Sequence, residues 1–163
     1  MKRIAEAGLV VSLSLLAACG QSVPSPDADK AAGGVKGPPA KTRYDLANGC
    51  FALKPADSAR FTAVNGEGYA ATATSGDATR FFMKATDLGS YMFYGQDGNL
   101  MSVEAGTAPV TSDAVVPGTE PGPAADWSID MPGKGRFTVT SLANGKALAV
   151  AADGALVQAD SPT

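Results

Sequence analysis

The residues able to do chemistry are few, and their types narrow the field before any fold is considered. Among 163 residues there is no histidine, so the commonest metal ligand and the commonest general base are both missing. Two cysteines are present, Cys19 and Cys50. Cys19 closes the run Leu16, Ala17, Ala18, Cys19, behind an apolar stretch at 8–16 and a basic start at Lys2 and Arg3. That stretch is too short for a helix across a ~30 Å hydrocarbon core, which needs about 20 residues, and it reads as a targeting segment over 1–18. Small residues before Cys19 let a peptidase hold an extended backbone. The carboxylates show no comparable order. Asp57, Asp77, Asp87, Asp97, Asp113, Asp126, Asp130, Asp153 and Asp160 stand singly among turn residues, where aspartate commonly accepts bonds from nearby backbone. EF-hand spacing, GxSxG, P-loop, HExxH and CxxC are all absent from the sequence. No catalytic residue, metal ligand or cofactor is assigned, and the residues present are expected to be non-enzymatic.

The amino-terminal order of charge, apolar core, small residues and cysteine resembles the bacterial lipoprotein signal, with its lipobox on Leu16, Ala17, Ala18 and Cys19. The alternative is an ordinary secretory signal. The resemblance implies a thioether-linked diacylglycerol at Cys19, cleavage before it, and acylation of the new amino group. Several acyl chains hold a protein stably on a bilayer where one does not. Gly20 stands where an aspartate would favour inner-membrane retention, so the expected address is the cell envelope, and the outer membrane where a source has two.

The elements that position these residues change along the chain. Residues 20–43 hold four Gly, four Pro and no aromatic, Leu or Ile, too little apolar surface to offset the entropy of ordering. With the lipidated Cys19 they form an expected tether over 19–43, of net charge +2. Residues 44–163 carry seven basic and thirteen acidic side chains. That balance, with a pI of about 4.8, argues against a nucleic-acid partner. Once a signal is removed Cys50 is the only thiol left, without a disulfide partner in the chain. It reads as a buried, inert cysteine, with a reactive thiol as the alternative.

From Tyr44 onward three segments align: 51–64, 91–103 and 137–150. Each starts with alternating apolar residues, turns at Asp57-Ser58, Asp97-Gly98 or Asn144-Gly145, and returns toward Val64, Val103 or Val150. Asp-Gly and Asn-Gly predict hairpins with type I′ turns. Phe51, Leu53, Phe93, Phe137 and Val139 are the expected inward face. Aromatic-led strands follow the first two units, with Phe81 and Phe82, then Trp127 and Ile129; a third would fall past Thr163. Residues 105–125, with four Pro, read as a mobile surface loop inserted in the second unit, a functional lid being the alternative.

Units of this kind resemble a β-trefoil of the ricin-B-like or fascin-like sort over 44–163, with the last strand missing; a β-sandwich or open barrel is the alternative. The expected class is all-β, because no unit can bury its own apolar face. The sequence departs from the sugar-binding members. Their Gln-x-Trp is replaced by Thr79-Arg80-Phe81 and Ala125-Asp126-Trp127, so the aromatics read as core rather than as stacking platforms. The expected function is a membrane-anchored, non-catalytic binding module with a glycan or protein ligand. The alternative is an accessory part of a longer lipidated secreted hydrolase. With a strand missing, 44–163 alone should be marginally stable, with unpaired edges.

Overall fold

The computed structural model describes residues 11–16, 40–103, 109–133 and 136–160. It is all-β. In chain order the strands are β1 (Val11–Leu16), β2 (Cys50–Pro55), β3 (Phe61–Asn65), β4 (Gly68–Ala73), β5 (Arg80–Asp87) and β6 (Ser90–Tyr94). They continue with β7 (Leu100–Val103), β8 (Val110–Asp113), β9 (Asp126–Gly133), β10 (Arg136–Ser141), β11 (Ala147–Val150) and β12 (Leu156–Ala159). Two short 3-10 turns, Arg43–Leu46 and Pro123–Ala125, are the helical content of the described residues.

Apolar alternation decides which face of each strand turns inward. β10 alternates strictly, with Phe137, Val139 and Ser141 buried and the residues between them at least partly solvated. Phe51, Leu53 and Phe93 are buried as well, as their spacing predicts. A chain of tilted rings runs through the interior: Tyr69 to Phe81 at 5.4 Å, Phe81 to Phe93 at 6.1 Å, and Phe93 to Trp127 at 6.1 Å. Full burial of one such large apolar side chain contributes about 1.5–3 kcal/mol, so this chain is a main source of cohesion. Trp127 is wholly buried, and its Nε1 donates to the Met101 carbonyl at 2.9 Å.

All strand pairings are antiparallel, and six of them return to their start: β1 with β2, β2 with β5, β5 with β6, β6 with β9, β9 with β10, and β10 with β1. The other six strands make three hairpins, β3–β4, β7–β8 and β11–β12. These hairpins touch one another through the pairs Gly68–Thr111, Ala70–Ala155 and Pro109–Val157.

Several expectations are corrected. The turn at Asp57-Ser58 does not close a hairpin, because β2 pairs with β1 and β5 while β3 pairs with β4. The turns at Asp97-Gly98 and Asn144-Gly145 join strands that share one pair each, Tyr94–Leu100 and Thr140–Ala147. Gly98 and Gly145 have φ of 80° and 73°, but Asp97 and Asn144 lack positive φ, so neither turn is type I′. Instead the Asp97 and Asn144 side chains accept the N–H of Asn99 and Lys146, two residues on, at 3.0 and 2.9 Å. Part of the loop expected over 105–125 is strand β8, and Val110 and Ala125 are buried. Between β2 and β10 lies β1, drawn from the segment expected to be a signal. The folded part also reaches back into the expected tether. Ala40 is buried, and Arg43 donates to Asp130 at 2.9 Å and to the Ile129 carbonyl at 3.4 Å.

Candidate functional site

A cleft of about 180 Å³ opens beside the β7–β8 hairpin and the segment leading to the Pro123–Ala125 turn. Its walls include Leu100, Val115 and Val116, with Ser102, Asp113 and Glu120 as polar members. Val115 and Val116 are exposed, the latter at 62%. Their surface is mostly apolar, with acceptors at the edge.

The polar edge is built by strand register. Ser102 lies opposite Thr111 and Leu100 opposite Asp113 on the paired strands β7 and β8. Period-two alternation therefore puts Thr111 and Asp113 on one face together with Ser102. Asp113 Oδ2 accepts from Ser102 Oγ and lies 3.1 Å from Thr111 Oγ1, while the two hydroxyls stand 3.2 Å apart. A neighbouring turn is tied in by Asn99 Nδ2 donating to Ser112 Oγ at 3.3 Å. The Ser102 hydroxyl donates directly to a carboxylate, with no imidazole or amine between them. A carboxylate is too weak a base to make serine a strong nucleophile, so this cluster suits holding a ligand rather than attacking one.

A second polar feature lies within the core. The Tyr69 hydroxyl is buried and makes no hydrogen bond of good geometry among the described residues; burial raises its pKa, and the nearby Ser112 side chain offsets this only in part. Burial also raises the pKa of Tyr91, whose hydroxyl donates to the Arg43 carbonyl at 2.7 Å. Both phenols stay neutral at physiological pH and neither offers a phenolate.

The residues singled out by sequence fall in different places. Cys19 and Ala18 lie outside the described residues. Cys50 is 6% exposed, as a buried cysteine should be, and it is disulfide-bonded in the uncleaved chain, whereas the expected unpaired thiol is that of a chain whose signal has been removed. The chain has two cysteines, so within one chain a disulfide at Cys50 and a thioether at Cys19 exclude each other. Among the described residues no three His, Cys, Asp or Glu side chains gather as a metal site, and no helix is long and apolar enough to cross a membrane. Sequence reasoning missed the grouping of Ser102, Thr111 and Asp113, because it took 105–125 for a loop and so had no register to pair them. The Val110–Asp113 run, one apolar residue followed by three polar ones, gave too weak an alternation to mark a strand. The chain matches no model of a known protein family, and no curated protein matches it in sequence.

Proposed function

We propose that the chain is a lipid-anchored, non-catalytic binding module of the cell envelope, built as a β-trefoil-like domain. The observation that carries the architecture is the cycle of six pairings accompanied by three mutually touching hairpins. A three-part barrel with a hairpin per part has those relationships, whereas two sheets packed face to face have no such cycle. The address rests on the lipobox-like order ending in Cys19. The membrane is the partner there, and Cys19 the attachment point.

The binding role rests on the cleft beside β7–β8. Its apolar walls and the acceptors Asp113 and Glu120 suit a ligand with an apolar face and several hydrogen-bond donors. A glycan or a segment of a partner protein has that chemistry. The anchor is tested by labelling cells with fatty acid and determining the mass of the amino-terminal peptide. Wild-type protein should carry label on Cys19 and lack residues 1–18, and Cys19→Ser should carry none. An intact amino terminus, or an unmodified Cys19, removes the anchor from the reading. The cleft is tested by screening the chain on glycan and peptide arrays and repeating the screen with Val116→Asp. Because Val116 is largely exposed, that substitution should leave the melting temperature unchanged while weakening a cleft ligand at least about tenfold, or ~1.4 kcal/mol.

A further inference from the structure

The strand β1 holds an unusual place. It pairs along its whole length with β2, from Val11 opposite Pro55 to Leu16 opposite Cys50, and it meets β10 at Phe137 and Arg136. Without β1, β2 keeps three pairs with β5, and the edge of β10 loses its pairs at Arg136 and Phe137 while keeping Thr140–Ala147 with β11. Those two strands carry Phe51, Leu53, Phe137 and Val139, which are all buried, so the bare edges would border the core. Backbone N–H and C=O groups in such a position need partners.

The slot also has a defined length and direction. Pro55 ends β2 and offers no N–H, which stops the ladder opposite Val11. An occupant must run antiparallel to both β2 and β10, span six residues, and alternate to match a pleat with one face on the core. Val11–Leu16 reads Val-Ser-Leu-Ser-Leu-Leu, which meets this pattern. The first two hairpins, β3–β4 and β7–β8, are each followed in the chain by a strand of the cycle, β5 or β9. The third, β11–β12, is matched instead by β1, which comes from the opposite end of the order and joins the rest through residues 17–49.

We propose that the slot between β2 and β10 is an exchangeable strand-acceptor site. Val11–Leu16 fills it in the uncleaved chain. Once cleavage before Cys19 has removed that segment, it takes an extended six-residue segment of a partner protein with apolar residues at alternate positions. Main-chain ladder bonds would supply affinity, and the alternate apolar side chains would supply selectivity. The site is separate from the cleft beside β7–β8. Its second occupant rests on the cleavage proposed above, but the slot itself depends on strand order and not on the lipid, so an unmodified chain tests the slot and leaves the anchor reading untouched.

The experiment uses the uncleaved chain with a protease site inserted among residues 20–38, cut under reducing conditions so that no disulfide holds the pieces together. The amino-terminal fragment should co-elute with the remainder and keep the amides of β2 protected from hydrogen exchange. An excess of free peptide containing Val11–Leu16 with lysine tails should displace it. The same peptide with Leu13→Pro should compete at least about tenfold less well, since proline removes a ladder donor. If the remainder unfolds when its fragment leaves, adding the peptide should restore protection across β2, β5 and β6. Three results overturn the proposal: release of the fragment with no uptake of peptide, a fragment that never exchanges with excess peptide, and a dimer of the remainder that excludes it.

Discussion

Tyr69 and Trp127 are both buried aromatic residues with a polar atom, and they differ in what that atom meets. The Trp127 indole N–H reaches the Met101 carbonyl, whereas the Tyr69 hydroxyl makes no hydrogen bond of good geometry among the described residues. Removing a satisfied group leaves its partner orphaned and opens a cavity, so Trp127→Phe should cost about 2–4 kcal/mol. Removing an unsatisfied hydroxyl while keeping the ring against Phe81 has no such cost. Tyr69→Phe should therefore be neutral or stabilise by up to about 1 kcal/mol. Urea unfolding of the two variants measures both, and a Tyr69→Phe loss as large as that of Trp127→Phe would show that the hydroxyl is bonded in solution. Which aromatics are buried was legible from period-two spacing, as Phe51, Phe93 and Phe137 show. Which of their polar atoms are satisfied was not. The Trp127 partner lies 26 residues away in sequence, and only strand pairing brings it near.

Among the elements, the turn Arg43–Leu46 straddles the boundary expected between a tether ending at residue 43 and a domain starting at Tyr44. Composition measures the average capacity of a segment to bury surface, so it placed that boundary after Ala40, which is buried, and it gave no sign of what the turn itself holds. Leu46 is wholly buried, and the Asp45 carboxylate accepts the backbone N–H groups of Thr42 and Lys41, each at 2.9 Å. Those bonds hold the Asp45 pKa below the ordinary carboxylate value. A depressed folded pKa means that the carboxylate stabilises the fold above the unfolded value near ~4, and that this is lost as pH falls through the folded value. The melting-temperature gap between wild type and Asp45→Asn should accordingly be larger at neutral pH than in acid well below that window. Melts at both pH values check this, and an equal gap would mean that the bonds do not discriminate the charged form. The contact between two hairpins makes a second case. A Cβ on Gly68 would lie 2.8 Å from the Val110 carbonyl oxygen, which β8 holds in register with Val103 of β7. Since the obstacle is backbone, Gly68→Ala should destabilise by about 1–3 kcal/mol, whereas an alanine in open space would not.

For the whole molecule, strand class and inward faces followed from alternation, while connectivity did not. Turn chemistry at Asp97-Gly98 and Asn144-Gly145 marked where the chain reverses, but which strand each one then joins depends on partners far along the sequence. The segment before Cys19 was the largest difference. The apolar alternation that suits Val11–Leu16 to a strand also lies inside an apolar run fit for targeting, and sequence alone favoured the second use. The cysteines tie these two uses to opposite chemical states. A chain whose Cys50 is in an intramolecular disulfide cannot carry a thioether at Cys19, and a chain cleaved and acylated at Cys19 must leave Cys50 as a thiol. Cys50 is 6% exposed with a strand in the slot beside β2, so where that slot is filled its thiol should resist alkylation in the folded protein and react in denaturant. Protein isolated from membranes with its acyl groups should thus yield one reactive cysteine, and only after denaturation. Uncleaved protein oxidised in solution should yield none until it is reduced. Acylated protein in which Cys50 remains unreactive in denaturant would break the link between the two states. A folded acylated protein whose Cys50 reacts quickly would instead place the vacated slot, and with it the edge of β2, open to solvent.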